Sequence, residues 1–314
     1  MSQYHNFKAL QVELWENCSN NCKFCYLKEG RIFSTPEQQL KAISTTNIIL
    51  DTLSDEYEAF GLIGGEFFQG QLANMYVKNA FKQLIVKLDY YISSGRLKQV
   101  WITASLMSDL EDFFYCLGNV ENKKDFLICT SYDTEGRFKD KEQKELWFKN
   151  LKTVYDAGFI LHTQSICTSY FIDEALTTSI LEDISRYSMF DFKCPGPFRE
   201  SFIRYTGKRD LVWYRDLFKK NISSMDKGFF IEDRSKFLKF LIKIKEVFGQ
   251  SKLEAFCSNE VRSDSVYLLP INKWVNDRWD SDDENASCGH PWDSFCYVNS
   301  DKCARCDAAG LLDE

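Results

Sequence analysis

The sequence lacks an apolar run of about 18 residues, the length that a membrane-spanning helix needs, and it lacks a positively charged leader followed by an apolar segment. We therefore expect neither a membrane span nor a signal peptide, and we expect a cytoplasmic protein. Disulfides are rare in that compartment, so the twelve cysteines indicate metal ligands and free thiols. Internal repeats and low-complexity segments are also absent from the sequence.

An excess of positive charge is missing too, because the net charge of the chain is −7. This balance argues against sequence-independent binding of nucleic acid along the whole surface. One local segment, at 198–221, mixes aromatic residues with Arg199, Arg204, Lys208, Arg209, Arg215, Lys219 and Lys220. A path for a nucleic-acid backbone and a solvated amphipathic helical connection both explain this segment.

Strand-like and helix-like stretches alternate through the first two thirds of the chain. Apolar, β-rich runs occur at 9–15, 58–63, 98–105, 125–131, 158–166 and 188–193, with helical periodicity near 36–53, 71–93, 107–118, 140–156 and 172–186. Crossovers of this length return the chain to the same sheet edge, which favours parallel pairing. The pattern predicts an α/β fold, a partial (β/α)6 TIM-like barrel at 1–200. A helical connection at 201–256, with a helix near 233–248, and a cysteine-rich extension at 257–314 follow it.

Three cysteines follow the first strand with the spacing CxxxCxxC, at Cys18, Cys22 and Cys25. Three thiolates on one loop can hold three corners of a cubane iron–sulfur cluster and leave the fourth iron without a protein ligand. Zinc is the competing interpretation, since cysteines two residues apart are common in tetrahedral zinc sites. Such a site needs a fourth ligand, and the next cysteine along the chain is Cys116.

A second motif, Gly64, Gly65 and Glu66, ends the next apolar strand about 40 residues after the cysteines. Glycines allow a backbone to approach a ligand closely, and a carboxylate accepts hydrogen bonds from an ammonium group. By itself the motif is also typical of a simple turn at the end of a strand.

Together these segments resemble the radical S-adenosylmethionine (SAM) enzymes, whose signature is CxxxCx(aromatic)C after the first barrel strand. Phe24 supplies the aromatic residue, Tyr26 follows Cys25, and the run QVELW precedes the loop. The resemblance implies a [4Fe–4S] cluster on the three cysteines, with SAM on the open iron against the GGE motif. It also implies reductive cleavage of SAM to a 5′-deoxyadenosyl radical that abstracts hydrogen from a substrate, with the electron coming from an external donor of the flavodoxin or ferredoxin type.

Polar residues at the later strand ends are candidates for holding SAM. Hydroxyl and carboxylate groups suit its ribose, and a guanidinium suits its carboxylate. The candidates are Thr103, Ser105, Ser131, Asp133, Arg137 and Gln164. The remaining cysteines, including Cys116 and Cys129, are expected to be small apolar residues of the interior.

Four cysteines near the C-terminus, Cys288, Cys296, Cys303 and Cys306, can complete a tetrahedral shell. They resemble the auxiliary-cluster extensions called SPASM or twitch, although their spacing differs from the usual pattern. Cys257 is an alternative to Cys296 and His290 is a possible additional ligand, while structural zinc is the alternative to an auxiliary [4Fe–4S] cluster.

The substrate is open between different classes. The compact barrel and tail resemble bacteriophage radical SAM isomerases that move a glycyl group from nitrogen to carbon linkage on thymidine in DNA. Peptide or protein maturation is the rival enzyme hypothesis, because auxiliary clusters are frequent in such enzymes. A zinc-binding interaction module without catalysis is the third hypothesis, and it leaves the GGE motif unexplained.

Overall fold

The structure is a computed structural model that describes residues 7–20, 22, 33–70, 72–134, 137–166, 169–193, 234–249, 265–269 and 273–275. Its strands are β1 (Ala9–Glu13), β2 (Ala59–Ile63), β3 (Gln99–Thr103), β4 (Phe126–Ser131), β5 (Ile160–Ile166), β6 (Met189–Lys193), β7 (Ser265–Leu269) and β8 (Lys273–Val275). Its α-helices are α1 (Pro36–Asp51), α2 (Met75–Ser93), α3 (Glu111–Leu117), α4 (Lys141–Asp156), α5 (Ser169–Thr177), α6 (Ile180–Ser185) and α7 (Arg234–Phe248).

The first six strands form a parallel sheet in sequence order, from β1 at one side to β6 at the other. This arrangement confirms the predicted α/β partial barrel and its six strands, and the predicted helix near 233–248 is α7. The fifth crossover contains two short helices, α5 and α6, where the sequence predicts one. No described helix combines the length and the apolar composition that a membrane span requires.

Two further strands belong to the same sheet and have no counterpart in the sequence prediction. Strand β7 pairs in parallel with β1, and β8 pairs antiparallel with β7. Strand β1 therefore has a neighbour on both sides, β2 and β7. The consequence is that the strand leading into the cysteine loop lies inside the sheet rather than at its edge.

One face of the sheet is covered by helices. Alternate strand residues such as Leu10, Phe60 and Val100 join a single apolar core with side chains from all the described α-helices, including Trp147 and Phe240. Helices on one face only are what a closed or partial barrel requires, whereas a doubly wound sheet has helices on both faces. The opposite, inner face begins with a small apolar cluster of Ala9, Ala59, Trp101 and Leu127.

Helix α1 begins with the capping signals that the sequence contains. Thr35 is the N-cap, its Oγ1 accepts from the backbone N–H of Gln38 at 3.3 Å, and the Gln38 side chain accepts from the Thr35 N–H at 2.8 Å. Pro36 occupies the first turn, where its missing N–H costs nothing. A cap of this kind contributes about 1 kcal/mol, and it fixes where the cysteine loop ends and the helix begins.

Candidate functional site

The cysteine loop follows β1 at the carboxyl edge of the sheet. Cys18 is half-buried and Cys22 is buried, while Cys25 and Phe24 lie outside the described residues. Asn17 closes the loop at its base, because its side-chain oxygen accepts from the Ser34 N–H at 2.8 Å and its amide donates to the Ser34 carbonyl at 3.1 Å. Both ends of the loop are therefore held together without any metal.

The GGE segment lies directly against the backbone of the cysteine loop. Beyond the strands, the β1–β2 hydrogen bonding continues from Gly65 N–H to the Trp15 carbonyl and from Glu66 N–H to the Asn17 carbonyl, each at 2.8 Å. A Cβ added to Gly64 would lie 2.3 Å from the Trp15 oxygen, and one added to Gly65 would lie 2.2 Å from the Asn17 oxygen. The close approach that these glycines permit is thus to the loop that carries the cysteines.

Glu66 connects the ends of β2 and β3. Its side chain is 2% exposed, one carboxylate oxygen accepts from the Phe68 N–H at 2.9 Å, and the other accepts from the Ser105 N–H. Burial raises the pKa of Glu66 above its ordinary value, while the hydrogen bonds from Ser105 and Phe68 and the positive charge of Arg137 oppose that rise. Binding of a ligand ammonium group by Glu66 stays a prediction.

Replacing Glu66 by Gln is expected to destabilise the fold. The amide nitrogen of Gln cannot accept a hydrogen bond, so either the Phe68 or the Ser105 N–H loses its partner. We expect a loss of about 1–3 kcal/mol in the free energy of unfolding, measured by urea denaturation at pH 7. The control is Glu121→Gln at an exposed carboxylate, which should leave the transition unchanged. Equal free energies of unfolding for the two variants would show that the Glu66 hydrogen bonds do not stabilise the fold.

The segment after β3 has an unusual backbone. Leu106 is the one described non-glycine residue with a positive φ, at 57°, and it is buried. The amide of Asn150 on α4 donates to the carbonyls of Leu106 at 3.1 Å and Ser108 at 2.6 Å, which holds this conformation. The turn directs the Ser105 N–H towards Glu66. Left-handed residues of this type are frequent where a chain is shaped for function.

The β4 and β5 ends bring further predicted residues to the same edge. Ser131 on β4 stands opposite Gln164 on β5, and Asp133 is 3% exposed just beyond. The positive charge of Arg137, which follows β4 along the chain, opposes the rise in the pKa of Glu66. The hydroxyl of Tyr132 donates to Glu174 of α5 at 2.9 Å, which anchors the segment after β4 to the helix layer.

Two polar atoms at this edge are available to a ligand. The Oγ1 of Thr103 and the Nε of Arg137 are both shielded from solvent and have no hydrogen-bond partner. Buried polar atoms are normally paired, so such atoms indicate either a bound group or a local cost of 1–3 kcal/mol or so each. Together with two loop cysteines, a hydroxyl and a guanidinium fit a cluster with a SAM molecule bound to it.

One row deeper, the inner face carries polar and titratable side chains. Thr103, Cys129 and His162 are neighbours across β3, β4 and β5, and His162 is 5% exposed. Glu13, which is 4% exposed, occupies the same row on β1. Below them lies the apolar cluster around Trp101. The inner face is thus apolar at its base and polar towards the strand ends.

The predicted auxiliary ligands Cys257, Cys288, Cys296, Cys303 and Cys306 lie outside the described residues, as does His290. Within the ranges that the structure describes, no three His, Cys, Asp or Glu side chains converge on one metal position. Cys25 is outside those ranges, so the structure gives the position of Cys18 and Cys22 on the loop, and the three-cysteine metal site stays a prediction.

Sequence reasoning missed two residues that hold the cysteine loop, Asn17 and Gln69. The side-chain oxygen of Gln69 accepts from the Ser19 hydroxyl at 2.7 Å. Its side-chain NH2 group donates to Asn20 Oδ1 at 2.7 Å and to Ser105 Oγ at 3.1 Å. An Asn before the CxxxCxxC motif and a Gln three residues after GGE are the only sequence signals for them.

Comparison with known proteins gives matches at the level of structure alone. No protein-family model matches the chain, and no curated protein matches it. The native anSMEcpe structure with bound AdoMet and the Cp18Cys peptide is 14% identical, with a TM-score of 0.53, covering 86% of this chain and 74% of that one. The structure with the Kp18Cys peptide gives a TM-score of 0.53 at 13% identity, covering 87% and 75%.

SuiB from Streptococcus suis is also similar, with a TM-score of 0.48 at 12% identity. The match covers 86% of this chain and 60% of SuiB, so the chain spans less than two thirds of that protein. At these identities the likeness to the anSMEcpe structures shows the fold, an α/β partial barrel.

Proposed function

We propose that the chain is a radical SAM enzyme. The observation that carries this proposal is the backbone pairing of the CxxxCxxC loop with the GGE segment, at the carboxyl edge of two neighbouring parallel strands. That edge is where barrel enzymes place their active sites. The AdoMet bound in the structures of similar fold supports the same proposal.

In this proposal Cys18, Cys22 and Cys25 hold three irons of a [4Fe–4S] cluster, and the fourth iron is left for the amino and carboxylate groups of SAM. When bound and reduced by one electron from an external donor, the cluster and SAM would supply an adenosyl radical, with methionine as the other product, that can remove hydrogen from a substrate. Thr103 Oγ1 and Arg137 Nε are two of the buried polar atoms that have no hydrogen-bond partner among the described residues, and they lie at the end of β3 and after β4, so they are assigned to SAM.

The chain's own contribution is positioning and exclusion of water. Asn17, Glu66 and Ser105 fix the three loops around the site through hydrogen bonds that are buried or partly buried. The apolar cluster around Trp101 closes the base of the inner face and keeps bulk water away from it. Cys129 and His162, which share a row of the inner face with Thr103, lie above this base and beside the proposed SAM position.

The proposal is tested by anaerobic reconstitution with iron and sulfide, followed by SAM and dithionite. We expect the reconstituted protein to show broad absorption at about 400 nm that bleaches on reduction. We also expect chromatography to detect 5′-deoxyadenosine in the reaction mixture. A colourless protein that binds zinc and leaves SAM intact would instead support the zinc-binding interaction module and would overturn the enzyme assignment.

For the substrate, we propose a polypeptide. The observation favouring it is the peptide bound together with AdoMet in the two structures of similar fold. Modified thymidine in DNA, with nitrogen-to-carbon migration of a glycyl group, is the second candidate. It is supported by the basic and aromatic segment at 198–221, which lies outside the described residues. A C-terminal auxiliary cluster on Cys288, Cys296, Cys303 and Cys306 is proposed with either substrate.

Salt-dependent binding of double-stranded DNA separates the two substrates. Protein contacts to phosphates release counterions, so a DNA enzyme loses affinity steeply as salt rises. If the substrate is a polypeptide, we expect no binding of double-stranded DNA even at low salt, because the net charge of the chain is −7. Fluorescence anisotropy of labelled DNA measures this binding. Tight binding at low salt with a steep negative salt slope would contradict the polypeptide assignment and favour DNA.

A further inference from the structure

We infer that Gln69 is a positioning residue that sets the geometry of the metal-binding cysteine loop. This inference rests on the proposed function, because the consequence of the geometry is the assembly and retention of the iron–sulfur cluster. The residues that Gln69 holds, Ser19 and Asn20, lie between Cys18 and Cys22. Their backbone therefore determines how the two thiolates face one another.

The Gln69 side chain makes three of its four possible hydrogen bonds. Its carbonyl oxygen accepts from Ser19, and its amide group donates to Asn20 and to Ser105. A primary amide has one oxygen and two hydrogens, so three partners in different directions fix its plane. An arrangement of this type joins three chain segments, the loops after β1, β2 and β3.

Gln69 itself is anchored in the interior. The two residues before it are buried, with Phe67 fully enclosed and Phe68 at 6% exposure. The Phe67 ring packs edge-on against Trp15 at 5.2 Å between centroids, and Phe68 packs against Phe113 at 5.2 Å. The backbone of Gln69 therefore starts from a rigid core, and its side chain transmits that position outward.

Burial does not by itself order the part of the loop at Ser19 and Asn20, which Gln69 holds. Ser19 is exposed and Asn20 is only partly buried, so burial of apolar surface does not fix this part of the loop. Metal ligands that are held in place before loading lose less conformational entropy on binding, and the groups that orient ligands affect metal affinity strongly. We conclude that Gln69 supplies the order that Cys18 and Cys22 need before the metal arrives.

The test uses the full chain, reconstituted anaerobically, and follows iron release to a chelator. Gln69→Leu keeps the volume and removes all three hydrogen bonds, and we expect iron release about ten to a hundred times faster than from the unsubstituted chain. The control is Gln143→Leu. Gln69 and Gln143 both line a cleft of about 530 Å³. The Gln143 side chain, however, accepts from the Lys139 N–H and does not contact the cysteine loop through that bond, so the rate of iron release should be unchanged.

A second variant separates positioning from a general effect on stability. In Gln69→Glu the carboxylate still accepts from Ser19, and Asn20 and Ser105 can turn to donate, so iron retention should recover. The added negative charge near the cluster should lower its midpoint potential, measured by redox titration with EPR detection. Ser19→Ala, at an exposed position, should accelerate iron release by less than Gln69→Leu.

The outcomes distinguish the two levels of the proposal. Equal iron release from Gln69→Leu and the unsubstituted chain, both fully loaded, would overturn the role of Gln69 and leave the proposed function intact. Retention by Gln69→Glu as poor as that of Gln69→Leu, with an unchanged potential, would also overturn it. Failure of the unsubstituted chain to assemble any iron–sulfur cluster would overturn the proposed function and this inference together.

Discussion

Replacing Cys22 by Ala is expected to abolish the formation of 5′-deoxyadenosine from SAM while the barrel stays folded. With one of the three cysteines gone, only two thiolates remain on the loop, too few to hold three irons of a cubane. The loop keeps its position, because Asn17, Gly65 and Gln69 hold it through contacts that do not involve Cys22. The measurement is 5′-deoxyadenosine by chromatography, with circular dichroism to verify folding.

Cys116→Ala is the matched control, since Cys116 is a buried cysteine of the same apolar core. Burial, together with the charge of Asp112, raises the pKa of the Cys116 thiol to about 12, so it carries no thiolate at neutral pH. This variant should produce 5′-deoxyadenosine at the rate of the unsubstituted chain. Turnover that survives in Cys22→Ala, or a loss that is equal in both variants, would contradict the ligand assignment.

Replacing Gly65 by Ala is expected to cost about 3 kcal/mol or more of folding free energy, a large value for a single methyl group. The new Cβ would lie 2.2 Å from the Asn17 oxygen and 2.6 Å from the Glu16 oxygen, and both contacts are with backbone. Relief of the clash separates the GGE segment from the cysteine loop and breaks the Gly65 and Glu66 hydrogen bonds to it. Denaturant unfolding measures the loss, and iron content after reconstitution should fall with it.

Gly61→Ala is the control for this prediction. Gly61 lies within β2, four residues before Gly65, but its Cβ would meet the Cγ of Gln11 at 3.0 Å, the flexible part of a side chain that can move. Its cost should be about 1 kcal/mol, near the median for single substitutions. If Gly65→Ala unfolds no more easily than Gly61→Ala, the GGE segment does not support the cysteine loop in the way described here.

The elements of the barrel were predictable from the sequence because their signals are local. Apolar runs of strand length alternate with helical periodicity, and Thr35 and Pro36 mark the start of α1. Strand β7 had no such signal, since a run of five residues more than 70 positions after β6 does not identify its partner strand. Its position beside β1 depends on contacts between distant parts of the chain.

The site was predictable at the level of motifs and not at the level of contacts. The sequence predicts the cysteines and GGE at neighbouring strand ends, and its assignment of the glycines to contact with a ligand stays a prediction. In the structure Gly64 and Gly65 approach the backbone of residues 15–17. Gln69 was missed because its partners Ser19 and Ser105 are 50 and 36 residues away, and no periodic pattern identifies a hydrogen bond of that separation.

Everything proposed for this chain depends on an iron of the amino-terminal cluster that takes no ligand from the protein and is available to SAM. The most direct measurement is electron–nuclear double resonance on the reduced, reconstituted protein, with SAM isotopically labelled at its amino and carboxyl groups. We expect hyperfine coupling between the cluster and both labels, because both groups are proposed to bind the open iron. A reduced cluster whose spectrum shows no coupling to either label would contradict that proposal.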